Sequence, residues 1–160
     1  MEAIGFASAL ISLVEATVTV ISYLNDVKNA PAERAQLLKE LTSLNIFLGT
    51  LNSLVQIATE PDTSTVEWLA TVRALNVPDG PFRQLSSLLE DLKRKLAPEG
   101  PRTFTARLAE RIMWKFSKED VEDMLKKVER VKSLVMVAVQ QDHIHTRRRS
   151  PCRYSSQANS

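Results

Sequence analysis

The sequence predicts an all-α fold, a bundle of four to six helices, and three observations carry the prediction. The 160 residues include only four Gly, and no stretch alternates apolar with polar residues as a half-buried strand would. Several segments instead place leucine or valine at alternating steps of three and four residues, which is the spacing of helices that pack in bundles. A chain of this length is sufficient for one domain with its own core, without disulfides or metal.

The first 25 residues predict an apolar N-terminal helix, in which Glu15 is the only charge between Ala3 and Asn25. At about 1.5 Å per residue it would be about 34 Å long, close to the thickness of the hydrocarbon core of a bilayer. Such a segment is typical of a membrane span, a signal sequence or a core helix surrounded by other helices. The acidic start opposes a signal sequence and the central Glu15 opposes a permanent span, so we expect a buried central helix in the resting state. The residues of this membrane-inserting or core helix are Ile4, Phe6, Leu10, Ile11, Leu13, Val14, Glu15, Val18, Ile21 and Leu24.

The rest of the chain predicts further helices separated by proline-containing breaks. Pro31 suits the first turn of a second helix that ends near residue 59. A short helix over about 65–75 follows, and the turn at 78–81 leads to a helix that stops at Pro98. Residues 117–120 resemble a capping box at the start of the last helix. The predicted core seams are Leu37, Leu41, Leu44, Leu48, Leu51, Val55 and Ala58; Phe82, Leu85, Leu89, Leu92 and Leu96; and Val121, Met124, Val128, Val131, Val135 and Ala138.

We expect a helical domain over residues 1–143 and a basic, Ser-rich, disordered tail over residues 144–160, because the tail contains little that could pack. The single cysteine, Cys152, cannot form an internal disulfide, which favours an intracellular protein.

The two parts of the chain carry opposite charge. Residues 1–92 hold eleven acidic and five basic side chains, whereas residues 93–160 hold eight acidic and sixteen basic ones. The two parts either attract each other in the bundle, or the basic part faces an anionic partner. The absence of a basic surface interleaved with aromatics opposes nucleic acid as that partner. A basic stripe of helical spacing provides the candidate contacts to an anionic surface: Arg107, Arg111, Lys115 and Lys118.

Catalytic chemistry has little support in the sequence. A metal site at His143 and His145 would need further ligands, and none is evident. Neighbouring carboxylates such as Glu122 and Asp123 diverge by about 100° on a helix, which suits solvent exposure better than acid–base catalysis. We therefore expect no enzyme activity, no metal, no cofactor and no small-molecule substrate.

Five short stretches carry a resemblance to a known family. They are MEAIGFAS at residues 1–8, VKNAP at 27–31, WKFSKEDV at 114–121, VERVKSL at 128–134 and QDH at 141–143. Together they resemble the HeLo-like N-terminal domain of fungal STAND proteins, which are NOD-like receptors. The most specific stretch contains Trp114 and Phe116, which also fit a packed corner between two helices. The resemblance covers roughly residues 1–143.

This resemblance implies a function. In helical-bundle cell-death effectors of this group, the resting bundle is soluble and activation exposes an N-terminal helix that attacks the plasma membrane. For this chain, the resemblance implies a cytoplasmic effector or signalling domain that acts in programmed cell death or innate immunity. Such a domain would self-associate, bind helical domains of related receptors and target an anionic membrane. The alternative is a non-lytic adaptor whose first helix stays in the core. The sequence contains no Gly-x-x-x-x-Gly-Lys-Ser/Thr loop, so no nucleotide switch is expected within it.

Overall fold

The computed structural model describes residues 2–27, 31–58, 70–97 and 114–149. Within these ranges the chain is helical, without a strand, which confirms the all-α prediction. The five helices are α1 (Glu2–Asp26), α2 (Ala32–Ala58), α3 (Ala70–Ala74), α4 (Pro81–Leu96) and α5 (Lys118–Arg149).

The four long helices alternate in direction around a common core. The Arg34 guanidinium donates hydrogen bonds to the carbonyl oxygens of Leu24 at 2.9 Å and Val27 at 3.5 Å, which ties the end of α1 to the start of α2. The rings of Phe6 and Phe82, each near the start of its helix, meet edge to face with centroids 5.7 Å apart, so α1 and α4 run in parallel. Helix α1 packs against α2 and α4, and α5 packs against α2, α3 and α4.

The predicted seams form the core. Every seam residue whose side chain is described is buried, including Leu37 to Val55 on α2, Phe82 to Leu96 on α4 and Val121 to Ala138 on α5. Each seam faces inward because steps of three and four residues return to the same side of a helix. The seam predictions are confirmed for these residues, whereas the side chain of Ala58 lies outside the described part.

Two boundaries differ from the sequence prediction. Helix α5 continues to Arg149, six residues past the predicted end of the domain at residue 143. The helix can continue this far because the first residue that opposes a helix is Pro151; of the tail predicted over residues 144–160, residues 150–160 lie outside the described part. A short helix was expected over residues 65–75. The described part of it is α3, and residues 59–69 lie outside the described part.

The turn between α3 and α4 requires a glycine. Asp79 adopts a left-handed conformation with φ 63°, and its carbonyl oxygen accepts a hydrogen bond from Nε2 of Gln84 at 2.8 Å. A Cβ atom at position 80 would lie 2.5 Å from the carbonyl oxygen of Leu75. Gly80 therefore allows the chain to turn tightly into Pro81, the first residue of α4.

Candidate functional site

The outer face of α1 is the main departure from the expected structure. Ile11 and Val18 are 42% and 48% exposed, and the neighbouring Val14 and Ile21 are half-buried. The expectation that α1 is buried on every side is therefore wrong. The outer face of α1 is exposed because α1 lies at a corner of the bundle, where α2 and α4 cover only its inner face.

The predicted membrane-inserting or core residues divide between two faces. Phe6, Leu10, Leu13 and Leu24 are buried in the core, whereas Ile11, Glu15 and Val18 lie on the exposed side. Val14 and Ile21 occupy the borders, and the side chain of Ile4 lies outside the described part. Helix α1 thus combines a core seam with a second apolar stripe, at steps of three and four residues, formed by Ile11, Val14, Val18 and Ile21.

Glu15 lies on this outer face, and its side chain is exposed. Within the described chain, the segment Gly5–Asp26 is the one helix that is long and apolar enough to cross a membrane by length and composition. Of its most apolar window, 28% is buried in the protein. Core helices of soluble proteins pass the same test, so this observation alone does not choose between the two uses of α1.

The basic stripe is only partly described. Lys115 and Lys118 are exposed beside the start of α5, whereas Arg107 and Arg111 lie outside the described residues.

Trp114 and Phe116 form a packed corner where α4 ends and α5 begins. Their rings meet edge to face with centroids 5.2 Å apart; Phe116 is buried and Trp114 is half-buried. Nζ of Lys95, at the end of α4, lies 5.4 Å from the centroid of the Phe116 ring, a cation–π arrangement. These contacts join the end of α4 to the start of α5, which is the arrangement of a packed corner.

The predicted capping box at the start of α5 is present. The backbone N–H of Asp120 donates to Oγ of Ser117 at 3.1 Å, and the backbone N–H of Ser117 donates to Oδ2 of Asp120 at 2.9 Å. The Ser117 hydroxyl also donates to the same carboxylate at 2.9 Å. These hydrogen bonds lower the pKa of Asp120 below its ordinary value, and the bond from the backbone N–H of Ser117 has the largest effect.

One ion pair joins the acidic and basic parts of the chain. Nζ of Lys132 on α5 lies 3.2 Å from Oε2 of Glu40 on α2 and 3.2 Å from Oε2 of Glu129. Burial by itself lowers the pKa of Lys132, but the bonds to Glu129 and Glu40 outweigh it, so the pKa of Lys132 is raised. The pair of Glu40 and Lys132 is a contact within the bundle between the acidic and the basic part of the chain.

Asp142 is a buried polar residue whose role the sequence analysis missed. Its two carboxylate oxygens accept hydrogen bonds from the backbone N–H groups of Thr71 at 3.1 Å and Val72 at 3.2 Å. Asp142 is 5% exposed and Val72 is fully buried. The carboxylate thus supplies the cap for the first turn of α3 and holds that helix against α5. No local signal identifies this contact, because the partners lie about 70 positions apart.

The groove between α4 and α5 is charged and open. Leu88, Leu92 and Met124 form its floor, and Asp91, Asp120, Asp123, Lys95 and Lys127 form its rim. The described carboxylates here are engaged locally, since Asp91 pairs with Arg94 and Asp123 with Lys126. Among the described residues no group of three or more His, Cys, Asp or Glu side chains is arranged to hold a metal ion.

No protein-family model, curated protein or solved structure matches the chain.

Proposed function

We propose that this chain is an effector or signalling domain of the fungal NOD-like receptor type, which self-associates and targets membranes in programmed cell death or innate immunity. The stretches that resemble the HeLo-like domain support the family, and the location would be cytoplasmic with inducible membrane association. The observation that carries the membrane part of the proposal is the exposed apolar stripe of α1.

The energetics of α1 explain why an exposed stripe matters. Removing five fully or nearly buried side chains from the core costs roughly 10 kcal/mol, at about 2 kcal/mol each. Transfer of the same side chains into lipid recovers a similar free energy, because lipid is also an apolar environment. The net gain must then come from side chains that face water in the resting bundle, which are Ile11 and Val18 on the outer face of α1. The five core side chains are Phe6, Leu10, Leu13, Val20 and Leu24.

The proposed mechanism is a shift between two populations. In the resting state α1 packs on α2 and α4, and in the active state self-association and an anionic bilayer favour its release. Basic side chains such as Lys115 and Lys118, together with Arg107 and Arg111, would each contribute about 1 kcal/mol of attraction near an anionic leaflet. Glu15 opposes insertion, because a charge deep in the bilayer is unfavourable.

A non-lytic adaptor is the second candidate. The contribution of α1 to the core favours it, since Leu10 and Leu24 are fully buried and their removal would destabilise the bundle. In this function α1 stays in place and the protein acts through contacts with other helical domains. The two candidates differ in whether the outer face of α1 contacts lipid.

Two matched valines test the proposal. Val18 on α1 and Val77 in the turn before α4 are 48% and 49% exposed. We expect Val18→Gln to weaken binding to phosphatidylserine-containing vesicles about tenfold, because an apolar side chain no longer enters lipid. Val77→Gln should bind like the wild type. Vesicle co-sedimentation measures the binding, and circular dichroism establishes that both variants remain folded.

The opposite result would favour the adaptor. If both variants bind vesicles as the wild type does, the outer face of α1 does not contact lipid. If both variants weaken binding equally, the effect is general to the surface rather than specific to α1, and the membrane proposal fails.

A further inference from the structure

Two asparagines on α2 bury polar atoms that find no hydrogen-bond partner. Asn45 and Asn52 are half-buried as residues, but the side-chain oxygen Oδ1 of each is covered and, within the described part of the chain, has no partner. Native structures leave few buried polar atoms in this state, because each has lost its hydrogen bonds to water without a replacement. The two amides therefore oppose the packing that covers them.

The helical spacing places both amides on the side of α2 that faces α1. The two asparagines follow Arg34 by eleven and eighteen residues, which are close to three and five whole turns, so all three residues share one side of the helix. Arg34 identifies the neighbour on that side, because its guanidinium reaches the end of α1 at Leu24. Glu40, which pairs with Lys132 of α5, lies about 120° away around α2. The two asparagines therefore lie at the contact between α1 and α2.

The two sides of α2 differ in polarity at the same levels along the helix. On the side towards α5, the corresponding positions are Phe47 and Leu54, each two residues further along, and both are half-buried apolar side chains. On the side towards α1, Leu38 is apolar and packs against the core. The next two positions of that side at steps of seven residues are Asn45 and Asn52. The contact with α1 is thus apolar near the start of α2 and polar further along it.

The asparagines lie beside the N-terminal half of α1. Because α1 and α2 run in opposite directions and Arg34 is level with Leu24, positions eleven and eighteen residues further along α2 lie beside about residues 13 and 6 of α1. The one fully buried polar side chain of α1 in the described part of the chain is Thr17. Its hydroxyl donates to the carbonyl oxygen of Leu13 at 2.7 Å rather than to an amide of α2. The Arg34 bonds thus hold the C-terminal end of α1, whereas its N-terminal half covers unpartnered oxygens.

From this arrangement we infer that Asn45 and Asn52 weaken the packing of the N-terminal half of α1, so that this half separates from α2 before the end held by Arg34. Separation lets water donate hydrogen bonds to both Oδ1 atoms, which removes the cost of their burial. The inference rests on the release of α1 in the proposed function and names the contact that regulates it. The two asparagines make α1 easier to release while its apolar core seam is kept.

The test measures amide hydrogen exchange by mass spectrometry in the full chain, without lipid. Leucine has nearly the shape of asparagine and needs no hydrogen bond, so Asn45→Leu and Asn52→Leu remove the unpartnered oxygen and keep the packing. Asn76 provides the matched control Asn76→Leu. Its Oδ1 is also buried and without a partner among the described residues, but Asn76 follows α3, which packs against α5. Exchange in α4 reports the stability of the whole bundle in each variant, and circular dichroism establishes that each variant is folded.

We expect Asn45→Leu and Asn52→Leu each to slow exchange in residues 6–14 of α1 about tenfold relative to α4, which is the size of effect that one unmet buried polar atom has. Exchange in α1 should be unchanged in Asn76→Leu. Unchanged or faster exchange in α1 of Asn45→Leu and Asn52→Leu would overturn the inference, because the amides would then not oppose the packing of α1. Equal slowing in α1 and α4, or equal slowing of α1 in Asn76→Leu, would also overturn it, because the effect would then not be specific to the α1–α2 contact. Failure of the proposed membrane action is distinct, because it shows in the Val18→Gln vesicle assay and leaves these exchange rates as expected.

Discussion

Helices α1 and α4 lie side by side on one core, and their inner faces are built alike. Each has a seam of large apolar residues at steps of three and four, and the two seams meet at Phe6 and Phe82. Their outer faces differ. On α4 the exposed positions carry charges that pair along the helix, as in Lys93 with Glu90 at 2.9 Å. On α1 the exposed positions from Ser8 to Ser22 carry Ile, Val and Ser, with Glu15 as the one charge among them.

The difference between the two outer faces shows which apolar residues the bundle needs for packing and which it does not. Packing in the bundle requires one apolar face on each helix, and α4 meets that requirement with a charged outer side that solvent favours. In the outer stripe of α1, Val14 and Ile21 pack partly against the core, whereas Ile11 and Val18 are exposed and α4 has no counterpart to them. The apolarity of these two exposed positions therefore needs an explanation outside the fold, and a contact with lipid is the one proposed above.

Truncation of core side chains should have the largest effect on the free energy of unfolding, and the effect should be equal for α1 and α4. Leu10 on α1 and Leu89 on α4 are both fully buried, so we expect Leu10→Ala and Leu89→Ala each to lower the free energy of unfolding by about 2–5 kcal/mol. Ile11→Ala, at the next position on α1, should cost less than about 1 kcal/mol because the side chain is partly in water. Urea denaturation measures all three. An Ile11→Ala cost equal to that of Leu10→Ala would show that the outer face of α1 is packed after all.

Removal of a surface carboxylate should distinguish the outer faces. Glu15 on α1 and Glu90 on α4 are both exposed, so neither Glu15→Leu nor Glu90→Leu should change the free energy of unfolding by more than about 0.5 kcal/mol. A charge at the centre of a membrane-spanning helix costs about 2.5–3.5 kcal/mol, so Glu15→Leu should strengthen vesicle binding by up to about 100-fold.

Glu90→Leu is the control, and it should leave vesicle binding unchanged. Flotation with phosphatidylserine vesicles measures the binding of both variants. Equal gains in the two variants would mean that any added leucine promotes binding, and Glu15 would then have no special role.

The starts of the helices give the smallest expected effect. Helix α4 begins after Gly80 without a side-chain cap, whereas α5 begins with the reciprocal bonds between Ser117 and Asp120. We expect Ser117→Ala to lower the free energy of unfolding by about 1 kcal/mol at neutral pH.

The pH dependence of that loss follows from the lowered pKa of Asp120. A carboxyl group with a lowered pKa in the folded state stabilises the protein above its ordinary pKa of 3.8 and loses this contribution as the pH falls through the lowered value. The difference between wild type and Ser117→Ala should therefore shrink below about pH 4. Thermal unfolding at a series of pH values measures it, and a difference that stays constant would show that the Ser117 hydroxyl does not stabilise the ionised Asp120 carboxylate.

The features that could be predicted from the sequence are those that depend on residues close together along the chain. The leucine seams of α2 and α4 and the capping box at Ser117 involve residues within one or two turns of each other, so helix geometry determines their arrangement. The outer face of α1 could not be predicted in this way, because a helix that is apolar on both sides does not reveal which side packs. The contact between Asp142 and α3 could not be predicted either, because it depends on the tertiary position of α3.

The hydrogen bonds from Arg34 to the end of α1 have a kinematic consequence. They attach α1 to the start of α2 at the carbonyl oxygens of Leu24 and Val27, while the opposite end of α1 contacts α4 through the aromatic ring of Phe6. A rigid rotation of α1 that preserves the Arg34 bonds has its pivot at Leu24. Phe6 is eighteen positions and about 27 Å from that pivot, so such a rotation separates the Phe6 and Phe82 rings by more than it separates core contacts nearer to Leu24.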